Sequence, residues 1–174
     1  MSKLTTCLWF DGTAEEAAAF YTSLFPNSRI TGEPSRYPEG TPQAGRVMTV
    51  PFELDGVAFV GLNGGPMFKF NEAISFQIDC ADQAEVDRYW GALTGDGGAE
   101  SMCGWCRDRF GVAWQVIPRR LTELLSGPDA GATQRAAAAM MGMRKIDVAA
   151  LEAAAAGDAP IAPDAFRRMG GDGG

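Results

Sequence analysis

Leu4-Thr5-Thr6-Cys7-Leu8-Trp9-Phe10-Asp11-Gly12-Thr13-Ala14-Glu15-Glu16-Ala17 opens the chain as a strand, a turn and a capped helix. Residues 4–10 alternate: Leu4, Thr6, Leu8 and Phe10 fall on one face, and Thr5, Cys7 and Trp9 on the other. Asp11-Gly12 is a turn dipeptide. Thr13-Ala14-Glu15-Glu16 has capping-box spacing, which predicts a helix starting at Thr13. Its apolar face carries Ala17, Phe20, Tyr21 and Leu24, and Pro26-Asn27 stops it.

The same order of elements returns about seventy residues later. Residues 28–36 read as a strand and 33–45 as a Pro- and Gly-rich loop. Residues 46–54 and 57–63 read as a hairpin about Asp55-Gly56. Gly64-Gly65-Pro66 closes this first set, and residues 67–72 connect to the next. Residues 73–79 alternate again, with Ile74, Phe76 and Ile78 opposite Ser75, Gln77 and Asp79. A helix over 82–93 follows, with Val86, Tyr89, Trp90 and Leu93 apolar. Short strands at 100–102 and 104–107, a turn at 108–111 and a strand at 112–117 complete the second set. The shared order predicts two β-α-β-β-β modules, 1–66 and 67–118; two unrelated α/β halves is the alternative. Beyond Pro118 the chain becomes Ala-rich, predicting helices over 121–125, 129–143 and 147–156 within a C-terminal segment 119–157. Residues 158–174, rich in Ala, Pro and Gly, read as a disordered tail.

Composition narrows the function. The 174 residues are 46% hydrophobic, enough for a core, and carry a formal charge of -7 without a basic stripe. That argues against nucleic acid and anionic membranes as partners. No apolar run approaches the roughly 20 residues of a membrane span. The N-terminus lacks the apolar core of a signal peptide, so a cytoplasmic location is expected. Histidine is absent, which removes the commonest metal ligand and general base and excludes Ser-His-Asp and Cys-His mechanisms within this chain. The four cysteines are expected to be reduced.

Several segments together resemble a known family. They are Cys7-Leu8-Trp9-Phe10-Asp11-Gly12 with Ala14-Glu15-Glu16-Ala17 and Phe20-Tyr21, Phe25-Pro26-Asn27-Ser28, Phe52-Glu53-Leu54-Asp55-Gly56, Leu62-Asn63-Gly64-Gly65-Pro66, and Phe68-Lys69-Phe70-Asn71-Glu72-Ala73-Ile74-Ser75-Phe76. Cys103-Gly104-Trp105, Trp114-Gln115-Val116 and the 143–152 pattern continue the likeness, which spans residues 3–157. The chain resembles the PhnB-like branch of the vicinal-oxygen-chelate (glyoxalase/bleomycin-resistance/dioxygenase) superfamily, whose members often carry the label 3-demethylubiquinone-9 3-methyltransferase. The resemblance implies an α+β fold with two β-α-β-β-β modules, curved mixed sheets around a cavity, and a homodimer. It also implies metal-ligand positions at Thr5, Ala73 and Gln115, with Asn63 the best match on the fourth strand. Thr5 is a poor donor, Ala73 is none, and a transition ion wants three or four N, S or carboxylate ligands, so no metal and no cofactor are expected.

Strand parity places Thr5, Cys7 and Trp9 with Ser75, Gln77, Asp79 and Gln115 on the sheet faces away from the helices. Such a face is polar where a buried sheet is apolar, which suits a ligand cavity; a solvated face is the plainer reading. With Asn63, Cys103 and Trp105 these residues form the expected cavity, and no catalytic residue is assigned. Cys103-Gly104-Trp105-Cys106 is a CxxC, but zinc would need a second pair and thioredoxin chemistry a helix N-terminus. Phe68 and Phe70 read as a wall over the cavity or as dimer packing, and Asp108 as a turn cap. S-adenosylmethionine would need a Gly-rich strand-to-helix turn; Gly64-Gly65 runs into Pro66, and the glycines at 95–98 follow a helix. The expected function is metal-free binding of a small organic molecule. The alternative is a metal-dependent lyase, isomerase or dioxygenase of the same fold, and methyl transfer ranks third.

Overall fold

The computed structural model describes residues 3–158. The chain divides into two compact units at Phe70/Asn71. In the first unit, β1 (Thr6–Phe10) leads into α1 (Ala14–Leu24). The short β2 (Arg29–Ile30) and β3 (Ser35–Arg36) follow, then β4 (Val47–Leu54) and β5 (Val57–Asn63). The sheet order is β1-β5-β4-β2, with β3 also on β4; β1 runs parallel to β5 and the other pairs are antiparallel. Asp55 and Gly56 both have positive φ, the conformation of a type I′ hairpin turn.

The second unit repeats this topology. Strand β6 (Phe76–Cys80) is followed by α2 (Gln83–Thr94), β7 (Ala99–Glu100), β8 (Trp105–Arg107) and β9 (Ala113–Pro118). The order β6-β9-β8-β7, with β6 parallel to β9, is that of the first sheet. The result is the α+β architecture of two β-α-β-β-β modules that the resemblance implies. Three helices complete this unit: α3 (Arg119–Leu125), α4 (Ala130–Met141) and α5 (Val148–Ala156). Asp129 and Asp147 cap the last two through their carboxylates, and Gly157 ends α5 in the left-handed region. Ile117, Leu121, Ile146 and Leu151 form their shared core.

Each sheet buries one face under its own helix. Leu8, Phe10, Val50, Phe52 and Phe59 meet Ala14, Ala17, Ala18 and Tyr21, all buried. Gly61 lets the helix approach closely, since a Cβ there would stand a tight 3.1 Å from the Ala14 Cβ. In the second unit Ile78, Cys80, Trp114 and Val116 are buried with Val86, Tyr89, Trp90 and Leu93 of α2.

Several details differ from the sequence expectation. The strand expected over 28–36 is broken into β2 and β3, with Gly32 and Pro34 between them. Pro34 has no N–H to give a ladder, which explains the interruption. The strand expected from Ala73 begins at Phe76, because the Asn71 side chain accepts from the Ala73 amide and holds a turn. Thr13 is the N-cap of α1, but its hydroxyl does not cap the helix; Asn63 of β5 does so instead. Residues 67–70 pack with the first unit: the Phe68 ring lies 4.9 Å from Trp9 and Phe70 5.3 Å from Phe10. The tail, beyond Asp158, lies outside the described residues.

Candidate ligand site

The residues singled out from sequence fall into both units. On β1, Cys7 is exposed and Trp9 half-buried on the face away from α1, and Thr5 is exposed just before the strand. Trp9 is held firmly. Its Nε1 donates to the Gly65 carbonyl at 2.8 Å, and a Cβ at Gly64 would sit 2.2 Å from its ring. Asn63 is not on this face. It stands in register with Phe10, so it shares the helix side, while Trp9 pairs with Leu62. The Asn63 Oδ1 accepts from the Ala14 amide at 2.9 Å, its Nδ2 donates to the Val47 carbonyl at 3.1 Å, and its own carbonyl accepts the Tyr37 hydroxyl at 2.6 Å.

In the second unit the structure brings four of the expected residues together. Gln77, Gln115 and Trp105 occupy one register line across β6, β9 and β8, all on the face away from α2. Gln115 Nε2 donates to Ser75 Oγ at 2.8 Å. Gln115, Trp105 and Ser75 are half-buried and Gln77 is exposed. Among the described residues, the Gln77 amide, the Gln115 Oε1 and the Trp105 indole N–H carry no side-chain hydrogen bond of their own. The row is thus neutral, with two carboxamides, one hydroxyl and one indole donor.

Asp79 and Cys103 are not part of that row. Asp79 is on the same face but accepts from Arg119 Nε at 2.8 Å, an exposed ion pair. Cys103 has φ 58° and turns toward the C-terminal helices. Its amide donates to the Met143 carbonyl at 2.7 Å, and its sulfur lies 3.8 Å from the Met141 sulfur. Cys106 pairs with Trp114 in register, on the α2 side, opposite Trp105. All four cysteines are free. Burial pushes the Cys106 thiol up to about 12, with Asp108 and Glu100 adding to it, and burial raises Cys103 as well. Neither is a ready thiolate at neutral pH, so the CxxC spacing does not make a redox pair. Asp108, buried, takes the amides of Phe110 and Val112 on Oδ1 and the Trp114 indole on Oδ2, the turn-capping role expected.

The donor set does not fit the superfamily's metal. Asn63 Oδ1 is spent on a helix cap, Ala73 has no donor, and Thr5 and Gln115 offer only neutral oxygens. Among the described residues no three His, Cys, Asp or Glu side chains converge on a point.

Sequence reasoning missed a cleft in the first unit. A cavity of about 570 Å³ opens at the N-terminal end of α1, lined by Asp11, Glu15, Arg36, Tyr37, Gln43 and Arg46 over a floor that includes Asn63 and Gly64. Only Asn63 had been singled out. The other polar residues lie in a turn, a helix start, a 33–45 stretch that reads merely as loop and the start of the 46–54 strand, with no motif spacing to join them.

Comparison with known proteins fits this architecture. A solved structure of a PhnB protein from Bacillus cereus is 36% identical, covering 67% of this chain and 99% of that one, with a TM-score of 0.60. A protein from Pseudomonas aeruginosa matches at 23% identity, covering 68% of this chain and 98% of that one, with a TM-score of 0.53, which shows the fold. No curated protein matches. The sequence model of the 3-demethylubiquinone-9 3-methyltransferase family covers residues 2–117 and stops before α3, whereas the sequence resemblance runs on to 157. Sharing both β-α-β-β-β modules with that family over this stretch, the chain belongs to the PhnB-like, 3-demethylubiquinone-9 3-methyltransferase family.

Proposed function

We propose that the protein binds a small organic molecule, without a metal, on the open face of its second sheet. The row Gln77–Gln115–Trp105, with Ser75 beneath Gln115, carries this reading. It offers donors and acceptors next to a flat indole, the pairing that orients carbonyl- or hydroxyl-bearing ligands in mostly apolar sites. The family name suggests methyl transfer, but neither glycine cluster makes the strand-to-helix turn such a cofactor needs. Gly64 and Gly65 follow β5 and lead to Pro66, and Gly95 caps the end of α2. A homodimer belongs to the same reading: β1 and β6 are the outer strands of their sheets, and Leu4 and Ile74, just before them, are 83% and 75% exposed. The four free cysteines suit a cytoplasmic setting, and among the described residues no helix is long and apolar enough to cross a membrane.

Native mass spectrometry of the freshly purified full chain tests the binding. The expected result is a non-covalent organic adduct that Gln115→Ala and Trp105→Ala abolish. A bare chain that also shows no thermal shift across a broad metabolite panel would refute it. Stoichiometric metal by elemental analysis, lost in Gln115→Ala, would instead favour the metal-dependent lyase, isomerase or dioxygenase. Tight calorimetric binding of S-adenosylmethionine would favour methyl transfer. Light scattering that returns a monomer at micromolar concentration removes the homodimer.

A further inference from the structure

We propose that the cleft in the first unit is a separate binding site for a small zwitterion, a molecule carrying both an ammonium group and a carboxylate, such as a free amino acid. The cleft holds charge of both signs. Asp11 and Glu15 belong to the α1 side, Arg36 and Arg46 to β3 and the loop before β4. Opposite charges in one small space attract one another and can close into ion pairs. Here they do not: among the described residues none of the four pairs with another, and Asp11, Glu15 and Arg46 have no side-chain partner at all.

The backbone keeps the two sides apart. Tyr37 donates its amide to the Arg46 carbonyl at 2.9 Å and Gly45 donates to the Tyr37 carbonyl at 3.1 Å, closing the 37–46 loop on itself. Arg36 is steadied by the Gly45 carbonyl, 2.8 Å from its Nη1, which leaves the rest of its guanidinium fork available. Both sides then fasten to one residue. The Asn63 carbonyl takes the Tyr37 hydroxyl from the basic side, and the Asn63 side chain takes the Ala14 amide from the acidic side. Asn63 therefore fixes the width of the cleft. A volume of about 570 Å³ falls within the range of small-molecule sites. A ligand with one charge would satisfy one side and face repulsion from the other. A zwitterion laid across it answers both, its carboxylate toward the arginines and its ammonium toward Asp11 and Glu15.

The test is an NMR titration of the ¹⁵N-labelled full chain with glycine, γ-aminobutyrate and ε-aminocaproate, which differ in charge separation. N-acetylated γ-aminobutyrate and γ-aminobutyrate methyl ester serve as single-charge controls. At least one zwitterion should shift the Gly12, Gly64 and Gly65 amides saturably, and each control should bind about tenfold more weakly or worse. Glu15→Gln and Arg46→Gln should each weaken binding by a similar factor at an unchanged melting temperature; both residues are exposed, so folding should survive. The proposal fails if no zwitterion shifts these amides, if either control binds as well, or if both variants bind normally. These readouts lie in the first unit, so their failure leaves the Gln115 site of the second unit untouched, and the converse holds.

Discussion

Asp108 shows how much one side chain can hold. Its two oxygens gather two amides and an indole; the bonds to Val112 and Trp114 are buried and the one to Phe110 is part-buried. Replacing it by alanine strands three donors, so Asp108→Ala should cost about 3 kcal/mol or more in urea unfolding. Asn63→Ala removes a helix cap and the side-chain bond to the Val47 carbonyl, and should cost about 1–2 kcal/mol. Asn63→Asp keeps the acceptor for Ala14 but turns an oxygen toward the Val47 carbonyl, so it should not recover the parent stability, which the same urea curves would check. The cysteines differ by exposure. Cys7 should react with a thiol reagent in the native state within minutes, whereas Cys80 and Cys106 should wait for denaturant; fast labelling of either buried thiol would contradict the packing.

At the scale of elements, the repeat was legible because alternation and turn chemistry are local. The Asp55-Gly56 hairpin and the helices α1 and α2 follow from neighbours in sequence. The Thr13 cap was not legible in its true form, because the acceptor comes from a strand far along the chain. Gln77 and Gln115 were legible by parity, since each alternates on its own strand, whereas Trp105 entered through the family resemblance. Asn63 was chosen through the family resemblance, and the parallel register with β1 that puts it beside Phe10 cannot be read from one strand. The cleft was invisible because its charges are brought together only by the loop's backbone bonds. One turn makes a sharp prediction. Gly104 has φ 81°, and a Cβ would meet the Val116 carbonyl at 2.9 Å and the Ile146 side chain at 3.1 Å. Gly104→Ala should therefore destabilise by roughly 2 kcal/mol or more, through strain and contact together.

At the scale of the whole molecule, the buried thiols give stability an alkaline limit. Burial raises Cys80 from 9.0 to about 12, helped by the nearby carboxylates of Glu85 and Asp79, and Cys106 likewise. The folded chain thus holds these protons after the unfolded chain has released them. Their contribution is intact below pH about 9 and is lost progressively toward pH about 12, each thiol adding a slope of up to about 1.4 kcal/mol per pH unit. Urea midpoints across that window should fall with pH, and the Cys80→Ala/Cys106→Ala double variant should flatten the decline. An equal slope in both proteins would show that other groups set the limit.

The Asn63 tie also governs motion. Because one residue holds both the first turn of α1, through its side chain, and the Tyr37 loop, through its carbonyl, the two are coupled through Asn63. The Ala14 amide and the loop amides of Tyr37 and Gly45 should then exchange with solvent as one cooperative unit, at a single opening free energy, and Asn63→Ala should split that unit into two.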